Sequence, residues 1–328
     1  TTIEGGASVL REGMVNRQSE VQVAYRMDDW GNEPFSIAAN AILDEAEKHT
    51  GAPSEGDCLR WVKGPGSMSG SAWSDGTYYY ATIVYSLTYY TTAEQEKELD
   101  AAVDALLAEI ITDDMTDYAK VKAIYDYMTA NISYDYDNLN DESHKLKYTA
   151  YAALINKTAV CQGYAILFYR LALECGIDAR LISGDATNSL GETGGHGWNI
   201  VKLGDKYYLV DATWDTSRAN VGVPYDYFLK ASYDDHFADA EYKTEAFTTA
   251  YPMASKDYEV CTNHTLEVLP AVPATCSEAG LTEGKKCSTC GTITVKQETI
   301  PAKGHSEVTV AGKEAACTES GLTEGKKC

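Results

Sequence analysis

The chain's strongest constraint is a two-residue break, Gly204-Asp205, between two β-prone stretches, residues 198–203 and 206–212. A Gly-Asp pair favours a tight hairpin turn, so these stretches are predicted to form an antiparallel pair in which residue 203 faces 206. If that register is extended, Trp198 faces Asp211 and His196 faces Thr213. Side chains alternate along a strand, so His196 and Asp211 emerge on one face as diagonal neighbours, about 7–8 Å or less apart at Cβ. A slip of one residue would send them to opposite faces. The turn therefore predicts both an antiparallel sheet and the meeting of an imidazole with a carboxylate.

A nucleophile precedes them. Cys161 stands in Ala159-Val160-Cys161-Gln162-Gly163-Tyr164, at the head of an apolar run from Ala165 to Leu173 that reads as a helix. At a helix N-terminus, unpaired N–H groups and the dipole favour a thiolate. Cys161, His196 and Asp211 thus supply nucleophile, base and orienting carboxylate. Backbone N–H groups of Cys161 and Gln162 are candidates to hold an oxyanion, with the Gln162 side chain as a further candidate. Cys175 and Cys58 lack such partners: Cys175 reads as a buried small hydrophobe, and Cys58 as structural or a free thiol.

Three regions are expected. Residues 1–92 read as a small α/β region: a strand at 21–25, a helix carrying Ile37, Ala38, Ala41, Ile42 and Ala46, a loop from 63 to 76, and an aromatic, β-branched stretch at 77–91. Residues 93–250 form the catalytic region, with helices at 94–112 and 117–132, a polar loop at 135–147, then the Cys161 helix and an antiparallel sheet, an α+β arrangement. The acidic stretch 135–142 lacks the ligand register of a calcium loop, with Leu139 at a ligand position, and reads as a solvated loop.

Residues 261–328 are repetitive. His264, Cys276 and Cys287 recur as His305, Cys317 and Cys328, a 41-residue period, and residues 280–287 are identical to 321–328. His264, Cys276, Cys287 and Cys290 have spacing compatible with a structural zinc site, and disulfides are the alternative. No cofactor is expected for the catalysis itself. The charge of −22, from 49 acidic and 27 basic residues, argues against a nucleic-acid partner, and no stretch has the length to span a bilayer. The absence of an initiator Met and the end within a repeat are read as an excised piece of a longer protein, and an extracellular or cell-surface location is expected.

Several motifs together resemble the transglutaminase-like superfamily of cysteine enzymes, over about residues 93–235. They are Tyr151-Ala152-Ala153-Leu154, the Cys161 motif, Cys175-Gly176-Ile177-Asp178-Ala179-Arg180, His196-Gly197-Trp198-Asn199, and Tyr207-Tyr208-Leu209-Val210-Asp211-Ala212-Thr213-Trp214. The helix pair with residues 120–127 and 131–135 resembles the lead-in to that core. The likeness is to the bacterial and kyphoscoliosis-type cysteine peptidase branch; Gly197 stands where alanine is usual. It implies a papain-like α+β core with the nucleophile at a helix N-terminus packed on an antiparallel sheet. It also implies the triad Cys161, His196 and Asp211, and acyl transfer through a thioester. The expected activity is that of a peptidase or amidase on a peptide or protein substrate, with cell-wall or surface components as candidate partners. Cross-linking transglutaminase and non-catalytic surface scaffold are the alternatives.

Overall fold

The computed structural model describes residues 2–27, 34–219, 225–260, 265–288 and 293–327. It divides into two compact units, 1–258 and 259–328, so the boundary expected near residue 92 falls inside the first.

The first unit opens with α1 (Ile3–Val15), capped by the Thr2 hydroxyl, which accepts the Gly5 N–H. Then come β1 (Glu20–Met27), α2 (Pro34–Ala46), α3 (Asp57–Val62), β2 (Ser67–Ser74) and β3 (Tyr79–Ser86). The strands make an antiparallel sheet in the order β1-β3-β2. Its buried face packs Val23, Ile83 and Tyr85 against Leu10, Met14 and Ile42 of the helices. Two expectations are corrected here. The segment 63–76 is not all loop: residues 67–74 form β2, an edge strand with nearly every residue exposed. Solvent on both faces removes the apolar alternation by which a strand is recognised. Ile37 is exposed, and the inward face of α2 is Ala38, Ala39, Ile42 and Ala46.

The rest of this unit runs α4 (Ala93–Ile110), α5 (Asp117–Asn131), β4 (Ser133–Tyr134), β5 (Thr158–Ala159), α6 (Cys161–Glu174), β6 (Ala179–Thr187), β7 (Thr193–Leu203), β8 (Lys206–Val210), α7 (Ala212–Ala219), β9 (His236–Ala238) and α8 (Glu245–Ala250). Thr92 and Gln95 close a reciprocal capping box at the start of α4, and Thr116 caps α5. Four antiparallel strands, in the order β8-β7-β6-β9, form the central sheet.

Helix α6 is buried continuously from Gly163 to Leu173, as a helix apolar on all sides must be. It lies on the sheet face that carries Leu181, Val201 and Leu203. The Asn199 amide, facing the same way, donates to the Ala165 carbonyl at 2.9 Å. Trp198 and Ile200, one residue out of phase, pack on the opposite face with Ile182, Tyr207 and Tyr242. The N-terminal region is tied in by a buried pair. Arg180 of β6 donates two hydrogen bonds to Asp57 of α3, at 2.7 and 2.9 Å, and the Leu181 N–H adds a third.

The acidic loop has an internal cation. Lys147 is completely buried, and its ammonium donates to the carbonyls of Asn138, Leu139 and Asp141 at 2.8–2.9 Å. The loop is thus folded around a lysine rather than simply solvated, which satisfies a buried charge with backbone dipoles.

In the second unit, β10 (Leu266–Leu269), β12 (Gly284–Cys287) and β13 (Ile293–Val295) form one sheet, β11 (Gly280–Leu281) pairs with β14 (Thr299–Ile300), and β15 (Val308–Val310) pairs with β16 (Gly325–Lys327). The bridge Val272↔Leu281 recurs 41 residues on as Lys313↔Leu322. A Cβ on Gly280 would lie 2.3 Å from the Val272 carbonyl, and one on Gly321 would lie 2.8 Å from the Lys313 carbonyl, so the shared glycine has a shared steric cause. No helix among the described residues is long and apolar enough to cross a membrane.

Candidate active site

The hairpin holds the predicted register from Leu203↔Lys206 to Asn199↔Val210, where β8 stops. Asp211 is therefore not a ladder residue, and the strand expected over 206–212 is two residues too long. Ala212 already begins α7. Asp211 joins the strand to the helix and serves both. Its Oδ1 accepts the N–H groups of Thr213, at 2.8 Å, and Trp214, at 3.3 Å, as a helix cap does. Its Oδ2 lies 2.7 Å from His196 Nε2. The end of β8 also leaves the β8-side edge of β7 open beside His196.

Cys161 begins α6 at a helix start that differs from those of α4 and α5. The residue before it, Val160, supplies no capping side chain. The Val160 carbonyl accepts from Gly163 and Tyr164, and the Gln162 N–H, in the first turn, has no carbonyl of the helix to reach. The Tyr134 hydroxyl of β4 meets the Cys161 backbone N–H. The chain crosses closely here: a Cβ on Gly163 would lie 2.9 Å from the carbonyls of both Lys147 and Thr149.

The Gln162 side chain does not extend this turn. Its amide nitrogen donates to the carbonyls of Trp61, at 2.6 Å, and Tyr148, at 3.3 Å, so its two N–H groups are committed to holding α3 and the segment before α6. The part of the oxyanion expectation that used this side chain is corrected accordingly.

The electrostatics draw His196 and Asp211 apart. Burial alone would drive protons off His196, but the Asp211 carboxylate overcomes it, with the Cys161 thiol adding hydrogen bonding and charge. The ring's pKa is pushed up from an ordinary 6.5 to about 10. Burial acts to raise the Asp211 carboxyl, yet the His196 and His236 rings together hold it well below the ordinary carboxylate range. Burial pushes the Cys58 thiol up to about 12 and also raises that of Cys175.

Two further carboxylates and a histidine belong to this site and were not singled out from the sequence. Asp215 is fully buried and gathers the Tyr125 hydroxyl and the N–H groups of Tyr225, Asp226 and Tyr227. The segment it fixes returns a carbonyl, that of Tyr227, to the Asp211 N–H at 2.9 Å. His236, on β9, reaches Asp211 Oδ2, the oxygen that also meets His196, and Asp235 reaches His236. An Asp two residues after the Ala-Thr of α7 and a His-bearing edge strand carry no local signal of such a meeting. Of the suggested zinc ligands, Cys287 is buried and Cys276 half-buried, whereas His264 and Cys290 lie outside the described residues.

Residues 104–212 match the family model described as the transglutaminase-like superfamily, a segment that holds Cys161, His196 and Asp211. Kyphoscoliosis peptidase of Homo sapiens is 26% identical over 156 residues, covering 42% of this chain and 23% of that protein. The Mus musculus protein of the same name is 25% identical over the same coverage. The match thus spans about a quarter of the length of these relatives. A solved TGase is similar over 44% of each chain, with 20% identity and a TM-score of 0.31.

Proposed function

We propose that this chain transfers acyl groups from peptide or amide bonds to water through a thioester on Cys161. The observation that carries this reading is the 2.7 Å contact of His196 Nε2 with Asp211. With that nitrogen committed, Nδ1 remains to serve Cys161, whose thiol is a hydrogen-bond partner of the ring. A ring that stays cationic to about pH 10 stabilises negative charge on the neighbouring sulfur.

In the first half-reaction the sulfur attacks the carbonyl carbon, and the carbonyl electrons move to oxygen, which faces the Gln162 N–H in the first turn of α6. Collapse of this intermediate breaks the C–N bond, and the leaving amine takes the proton from His196 Nδ1. Water then gives a proton to Nδ1 as it attacks the thioester. The acid departs and the thiolate–imidazolium pair is restored. Water is favoured over a lysine amine as acceptor because both curated relatives carry the name peptidase. We place this activity outside the cell or at its surface, on the strength of the acidic charge and the short Cys/His repeats; recovery of the protein from the cytosolic fraction of its source cells would overturn that placement.

Peptide libraries incubated with and without methylamine, read by mass spectrometry, test the reading. Free carboxylic products that are unchanged by the amine and absent with Cys161→Ala are expected. Amine adducts as the main product would assign cross-linking instead. Products that persist in Cys161→Ala would overturn the nucleophile.

A further inference from the structure

The carboxylate of the proposed triad is shared by a second imidazole. His236 Nε2 lies 3.2 Å from Asp211 Oδ2, the same oxygen that receives His196. The other nitrogen of His236, Nδ1, lies 2.7 Å from Asp235 Oδ1, and Asp235 Oδ2 accepts the Tyr227 hydroxyl at 2.6 Å. The result is a continuous line: Cys161, His196, Asp211, His236, Asp235, Tyr227.

The surroundings leave this second histidine nowhere else to go. Its ring is 4.5 Å from Tyr233, 4.6 Å from Trp214, 4.9 Å from Trp198 at an interplanar angle of 87°, and 5.2 Å from His196. Its side chain is 1% exposed. The backbone is pinned as well, because His236 pairs with Ala186 on β6 while Gly184 of the same strand pairs with His196 of β7. One strand, β6, therefore sets the spacing of both imidazoles. Such packing could serve a hydrophobic residue. It instead surrounds a ring whose two nitrogens both face carboxylates, a polar arrangement that burial makes costly unless every bond is made.

We infer that His236, fixed by Asp235, is a positioning residue for the proposed acyl transfer: it holds the Asp211 carboxylate in the orientation that keeps the His196 ring turned toward Cys161. This rests on the thiol-nucleophile reading above. Asp211 Oδ1 is held by two backbone N–H groups of α7, and Oδ2 would otherwise have His196 alone. A second N–H donor on Oδ2 removes the freedom of the carboxylate to tilt, and a ring that carries a proton on each nitrogen donates to Asp211 and Asp235 at once. The logic is that of the outer carboxylates that orient metal-bound histidines, where loss of the outer group costs about 10–100-fold.

The test is the rate of Cys161 alkylation by iodoacetamide in the full chain, followed by mass spectrometry from pH 5 to 10, which needs no knowledge of the substrate. Wild-type Cys161 is expected to react faster at pH 7 than exposed Cys317. His236→Phe keeps a ring of similar volume and removes both nitrogens. It is expected to slow Cys161 alkylation at pH 7 by about tenfold and to displace its pH profile, while the Cys317 rate is unchanged. His236→Gln restores a side-chain N–H donor and should recover most of the rate. Asp235→Asn, at a carboxylate whose side chain is 33% exposed, disturbs the packing least and should show a smaller loss in the same direction. The groups facing the two rings, and so able to move the profile, are Cys161, Asp211, Asp235, Tyr227 and Tyr233. A wild-type rate and profile in both His236→Phe and Asp235→Asn would overturn the inference and leave the triad standing. A wild-type Cys161 no faster than Cys317 would overturn both. If His236→Phe fails to fold, Asp235→Asn and His236→Gln decide alone, by their pH profiles.

Discussion

Two histidine–aspartate contacts of the first unit are alike in length and unlike in setting. His196 Nε2 lies 2.7 Å from Asp211, and His49 Nε2 lies 2.9 Å from Asp178. In each, a strand or its end supplies one partner, and aromatic rings flank the imidazole. They differ in what stands at the second nitrogen. His49 Nδ1 meets the Tyr169 hydroxyl at 2.9 Å, and Asp178 also takes the Tyr207 hydroxyl. His196 has Cys161 there, at an uncapped helix start beside the open edge of β7. A histidine–carboxylate contact is thus a structural clasp by default, and here it fastens the segment after α2 to α6 and β8. It becomes a candidate for chemistry when its free nitrogen faces a nucleophile and the strand beside it ends.

Breaking each pair should therefore have opposite consequences. His196→Ala is expected to lower turnover, or Cys161 alkylation at pH 7, by about 10³–10⁴-fold. His49→Ala should leave the rate within about twofold and cost about 1–3 kcal/mol of stability, because it strips partners from a half-buried carboxylate and a buried tyrosine. Thermal unfolding and single-turnover kinetics on both variants measure this. A comparable rate loss in both would erase the distinction drawn here.

The charge state of His196 gives the next test. Its pKa is raised from 6.5 to about 10. A group raised on folding stabilises the folded state fully below its ordinary value, and that contribution disappears as pH climbs to the raised one. The melting temperature of the wild type, measured against His196→Ala, should therefore show a gap that narrows between about pH 6.5 and 10. The alkaline limb of kcat/KM should fall near pH 10, where the ring no longer supplies a proton to the leaving amine. An alkaline limb near pH 7 would show that the ring is not cationic at neutral pH.

What could be read in the sequence follows the range of the interactions. The Gly204-Asp205 turn is local chemistry, and its register is found over Asn199–Leu203. Asp211 was legible as a partner of His196, although by an extended ladder that does not exist; the same residue arrives through a helix cap. Edge strand β2 escaped notice because exposure on both faces leaves no period, and α1 because its three glycines lower helix propensity. His236 and Asp235 escaped for a different reason. They lie 25 and 24 residues beyond Asp211, and only the pairing of β9 with β6 brings them to it. His49 stands 129 residues before Asp178, beyond any local pattern.

Two glycines near Cys161 sharpen the comparison at the smallest scale. Gly163 sits under the segment that carries caged Lys147, and a Cβ there would approach two carbonyl oxygens to 2.9 Å and the Ala159 methyl to 2.7 Å. Backbone cannot yield as a side chain can, so Gly163→Ala should cost about 1–3 kcal/mol and slow Cys161 alkylation by displacing the helix start. Gly197, beside His196, is different. A Cβ there would meet only the Ile182 carbonyl at 3.8 Å and the Gln162 Cα at 3.9 Å, both ordinary contacts. Where the resemblance to transglutaminase-like sequences would place an alanine, the site therefore has room for it. Gly197→Ala should change stability by no more than about 0.5 kcal/mol, with any gain coming from the reduced freedom of the unfolded chain, and should leave the rate within about twofold. A tenfold loss of rate in Gly197→Ala would mean that the strand bearing His196 must come closer to α6 during turnover than it does at rest.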